Sequence, residues 1–69
     1  MIGTVKNVDR GFFFLEADNC DYFAHKDDLP PEIEFEQLRS GQQFHFDPIP
    51  DAPRGPRAAN LTYIFQNVH

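Results

Sequence analysis

The sequence predicts an all-β domain, a small five-stranded antiparallel barrel. Short runs rich in Val, Ile, Phe, Tyr and Thr alternate with clusters of Asn, Asp, Gly and Pro along the chain. No segment carries a convincing helical period. At 69 residues there is one domain with one small core, and no room for an enclosed pocket plus its scaffold.

The elements follow in order. Residues 2–7 form the first strand, and the turn formers Asn7, Asp9 and Gly11 close it into a hairpin with a second strand at 12–17. A second turn at 17–21 leads to a short third strand at 22–26. The run Asp27-Asp28-Leu29-Pro30-Pro31 ends that strand, because proline cannot donate to a central ladder. Residues 31–38 form an acidic loop with space for a helical turn, carrying Ile33, Phe35 and Leu38, and Ser40-Gly41 closes it. Residues 42–47 alternate around Phe44 and Phe46 as a fourth strand. Four prolines make 48–56 an extended loop before a fifth strand at 57–65. The domain therefore spans 1–65, followed by a C-terminal tail at 66–69.

Alternate residues of a barrel strand face in and out. Phe13, Leu15 and Ala24 suit the interior, which turns Phe12, Phe14, Phe23 and His25 outward together on neighbouring strands. A contiguous exposed aromatic patch marks a binding surface. This one is edged by Lys6, Arg10 and Lys26, and rings interleaved with cations suit a single-stranded nucleic acid: bases stack on rings while cations meet phosphates.

The formal net charge of −5 argues the other way, since phosphate contact usually needs a basic surface. Its distribution is more informative than its sum. Eight of the eleven acids lie between Glu16 and Glu36, whereas Lys6, Arg10, Lys26, Arg54 and Arg57 accompany aromatic or strand-like segments. Two readings stay open, a locally basic face on an acidic domain and plain scattered, solvated charge.

Other chemistries find little support. His25, His45, His69 and Cys20 lack metal-ligand spacing, and the carboxylates at 27–36 read as a solvated loop rather than an acid–base pair. The expectation is no enzyme, no cofactor, no small-molecule substrate and no membrane span. Cys20, the single cysteine, sits in an acidic turn and excludes an intramolecular disulfide. With no leader-like apolar stretch in Met1 to Lys6, it points to a cytoplasmic monomer.

The motifs resemble the cold-shock domain, an OB-type barrel that binds single-stranded RNA and DNA. Its first ribonucleoprotein motif, Lys-Gly-Phe-Gly-Phe-Ile, is matched by Arg10-Gly11-Phe12-Phe13-Phe14-Leu15, and its second, Val-Phe-Val-His, by Tyr22-Phe23-Ala24-His25. The family opening Gly-x-Val-Lys is matched by Gly3-Thr4-Val5-Lys6. Two later motifs fall at residues 38–46 and 55–61, so the resemblance runs in order over nearly the whole chain. It implies a stacking platform of Phe12, Phe14, Phe23 and His25, with Phe35 adding a ring at its edge. It further implies that Lys6, Arg10 and Arg54 contact phosphate or base edges, that Asp21 accepts from a base, and that the role is RNA chaperone or regulator of gene expression.

Several positions depart from the family pattern. The Trp-Phe after the first-strand lysine is absent, the following turn is two residues shorter, Phe13 replaces a glycine, and Lys26 replaces an aromatic. These changes thin the binding face. Together with the net charge they leave a second reading, in which the same patch on the same barrel docks a protein partner and the acidic loop supplies charge complementarity.

Overall fold

The computed structural model describes residues 1–65, and the tail expected at 66–69 lies outside them. Five strands form a closed barrel: β1 (Ile2–Lys6), β2 (Phe12–Ala17), β3 (Cys20–His25), β4 (Gln43–Ile49) and β5 (Arg57–Tyr63). Around the barrel the order is β1-β2-β3-β5-β4, with β4 returning to β1. Four of the five seams are antiparallel, and β3 meets β5 in parallel at Phe23 and Arg57. The expectation of antiparallel pairing throughout is corrected at that seam. Strand direction cannot alternate around a ring with an odd number of members, so one neighbouring pair must run the same way.

The hairpin joining β2 to β3 is tighter than the five-residue turn expected. Ala17 pairs with Cys20, leaving Asp18 and Asn19 as a two-residue turn. Both have positive φ, 51° and 62°, as a type I′ turn demands and as Asp and Asn tolerate. At the other end of β1, Asn7 takes φ 51° and stops the strand one residue earlier than expected.

The core follows the in–out alternation. Val5, Phe13, Leu15, Ala24, Phe44, Phe46, Ala58 and Leu61 are buried on the strands, and Ile33 and Leu38 close one end from the β3–β4 connection. Phe13 is fully buried, with its ring centroid 6.2 Å from that of Phe44. It fills barrel volume where the related motif has glycine. Gly3 is buried for a different reason. A Cβ built there would lie 2.8 Å from Phe46 Cε1 and 2.9 Å from Leu15 Cβ, so only glycine lets β1 approach the packed interior this closely.

Two features of β4 and β5 have no local signature. β4 continues through Pro48 to Ile49, past the boundary expected at 47. Its partner β1 has already ended, with Met1 bonded to Phe46, so the missing N–H of Pro48 faces no strand on that side. Opposite Phe46 the register of β5 shifts: His45 pairs with Thr62 but Asp47 with Ala59. The extra residue is accommodated by Asn60 at φ 52°, whose amide Nδ2 donates to Asp47 Oδ2 at 2.9 Å.

Candidate nucleic-acid interface

The alternation that buries Phe13, Leu15, Tyr22 and Ala24 turns Phe12, Phe14, Phe23 and His25 to the outer face of β2 and β3. Register brings them together: Phe12 lies opposite His25, and Phe14 opposite Phe23. The three phenyl rings form one cluster. Phe12 stacks on Phe23 at 5.5 Å and 26°, while Phe14 meets Phe23 edge-on at 5.9 Å and Phe12 edge-on at 6.1 Å. All four side chains remain half-exposed, leaving ring faces on the surface.

Beside this cluster the β4–β5 loop forms the far wall of an open groove of about 660 Å³. Phe14, Phe23, His25 and Asp21 line the strand side, and the 52–57 segment, with Arg54 and Arg57, lines the other. The loop is fastened to β3 by the Phe23 N–H, which donates to Pro56 O at 3.0 Å. A second tie is ionic. Arg57 Nη2 lies 3.2 Å from Asp28 Oδ2, and the same carboxylate oxygen accepts the His25 backbone N–H at 3.0 Å.

His25 caps the short 3-10 turn Lys26–Asp28. Its Nδ1 accepts the Asp27 N–H at 3.1 Å, and Asp28 returns the bond to the His25 backbone. Reading Asp27 and Asp28 only as solvated acids missed this reciprocal cap. The signal was available as a side-chain acceptor followed three residues later by a carboxylate.

The charged residues divide. Lys6 Nζ lies 3.1 Å from Asp21 Oδ1 and 3.5 Å from Glu16 Oε2, so the expected phosphate ligand and the expected base acceptor are bound to each other. The hydrogen bond to Asp21 holds the Lys6 ammonium above its ordinary pKa, with partial burial pulling against it. Arg10 and Arg54 are exposed and make no ion pair among the described residues. Phe35 stands apart from the platform. It sits in the 3-10 turn Phe35–Gln37, packed against the core with its ring 6.5 Å from the inward-facing Phe13. Among the described residues no three His, Cys, Asp or Glu side chains gather as a metal site, and no helix is long and apolar enough to cross a membrane.

A closed five-stranded barrel whose aromatic outer face borders a groove lined by Arg54 and Arg57 defines an OB-type binding barrel. The chain belongs to the cold-shock domain family, whose members are non-enzymatic nucleic-acid-binding proteins. It is 42% identical to the cold shock-like protein CspC of Bacillus cereus over 67 residues, covering 93% of this chain and all of that one. No protein-family profile matches the sequence.

Proposed function

We propose that the protein binds single-stranded RNA or DNA across the outer face of β1, β2 and β3, stacking bases on Phe12, Phe14, Phe23 and His25. The observation that carries this reading is the gathering of those four side chains on one half-exposed face beside the groove that Arg54 lines. Every base has a face to stack, and each stack contributes roughly 1–3 kcal/mol. Arg10 and Arg54 meet the backbone, and Lys6 joins them when a phosphate competes with its carboxylate partners. Asp21 has a second oxygen with which to accept from a base. Phe35, half-buried in the turn after β3, adds a ring at the edge of the platform. Preference among sequences is mild and leans to pyrimidines. The role is that of a cytoplasmic, monomeric RNA chaperone or regulator, in which modest affinity allows the strand to be released.

One observation favours the protein-docking alternative: on a domain of net charge −5, the central lysine of the face is already neutralised by two carboxylates. Anisotropy of labelled oligo-dT and oligo-U, titrated at two salt concentrations, separates the readings. Saturable binding that weakens with salt and collapses in folded Phe14→Ala and Phe23→Ala variants supports the single-strand platform. No binding at low salt by a folded protein overturns it and leaves the docking surface.

A further inference from the structure

The nitrogen atoms of His25 are not equivalent. Nδ1 points into the 26–28 turn and accepts the Asp27 N–H at 3.1 Å, so it carries no proton in that arrangement. A neutral imidazole must then hold its proton on Nε2. Asp27 Oδ2 lies 3.3 Å from the same Nδ1 and gives a proton there a partner if the ring becomes charged. Nε2 is therefore an N–H donor in both charge states. The charged groups around the ring are Asp27 and Asp28 on its own turn, Lys26 beside them, Asp21 on β3, and Arg54 and Arg57 across the groove. His25 lines that groove with a side chain 42% exposed, and among the described residues Nε2 has no hydrogen-bond partner.

We propose that His25 is a fixed hydrogen-bond donor to the bound strand as well as a stacking ring. Its Nε2–H selects an acceptor oxygen or nitrogen on the nucleotide lying over Phe14 and Phe23, and the Asp27 cap sets the tautomer. This rests on the single-strand reading of the groove. The acceptor belongs either to a base edge or to a phosphate, two sources of one chemistry.

The test joins a spectroscopic and a binding measurement. Long-range nitrogen–proton correlation spectra of the free protein should show neutral His25 as the Nε2–H tautomer. His25→Phe keeps a stacking ring but has no donor, and it should bind oligo-dT roughly three- to tenfold more weakly. His25→Gln, which can place an amide N–H near the position of Nε2 but gives up the ring, should bind more weakly than His25→Phe, because it loses the stack instead of the donor. Repeating the comparison with a methylphosphonate strand locates the acceptor: a penalty that persists assigns it to the base, and one that vanishes assigns it to the phosphate. An Nδ1–H tautomer, or a folded His25→Phe protein binding oligo-dT as tightly as the parent, overturns the proposal. Failure of the parent protein to bind any strand overturns the single-strand reading itself, and this proposal with it.

Discussion

Lys6 and Asp21 are 3.1 Å apart on the outer face, cation to carboxylate, with Glu16 the second anion at 3.5 Å. The pair sits where β1, β2 and β3 run side by side, next to Phe14, the register partner of Lys6. Any phosphate reaching Lys6 must compete with two carboxylates for it.

Lys6→Gln should lower the slope of log affinity against log salt by about 0.7, the share of one phosphate contact on a single strand. Glu16→Gln should act in the opposite direction, strengthening binding at low salt. The gain should fade as the screening length shortens. Titrations of oligo-dT at several ionic strengths check both. An unchanged slope in Lys6→Gln would remove Lys6 from the phosphate contacts.

The stacked pair Phe12 and Phe23 should behave as a unit. Each alanine substitution should cost about 1–3 kcal/mol of binding, and the double substitution less than the sum, because removing one ring also frees its neighbour. A double-mutant cycle by anisotropy, on variants with native circular dichroism, measures the coupling. Strict additivity would show the rings acting on separate bases.

Gly3→Ala should destabilise the fold by about 1–3 kcal/mol. The added methyl meets Leu15 Cβ, which the β2 backbone fixes, and the Phe46 ring, which is held 5.0 Å from Tyr22. Urea denaturation gives the value, and a midpoint equal to the parent's would mean that β1 can move away from the core.

Stability should fall on the alkaline side. Tyr22 is raised above its ordinary pKa of 10.0, first by burial and then by the neighbouring Cys20 thiol, and Lys6 is raised above 10.5, first by Asp21. In both cases the unfolded chain loses its proton first. Across the window between the ordinary and the raised pKa, folding therefore weakens as pH rises. The Lys6 contribution is whole below its ordinary value and disappears through the raised one. Urea midpoints at about pH 9 and about pH 11 should show the drop, with Tyr22→Phe and Asp21→Asn each reducing it.

The period of two along each strand was enough to place Phe13 and Leu15 inside and Phe12 and Phe14 outside, so the barrel and its aromatic face were legible in the sequence. What escaped depends on contacts between distant segments. Nothing beside Asn60 announces that it must absorb an extra residue opposite Phe46. Nothing beside Gly3 announces a phenyl ring arriving from β4. Phe35 was expected at the platform edge only from the resemblance, and no local pattern announces that its half-buried ring packs against the core beside Phe13. Lys6 and Asp21 each looked ready for a ligand because their mutual contact is set by strand register rather than by sequence spacing.

The parallel seam has a mechanical consequence. β3 and β5 share the single register pair Phe23 and Arg57, so the barrel is a hoop with one short clasp, and the groove opens above that clasp. A strand lying in the groove would touch both sides of the join and hold it shut. The amide of Phe23, bonded to Pro56 across the join, would then exchange its hydrogen more slowly with the nucleic acid bound, making one proton a gauge of how firmly the hoop is fastened.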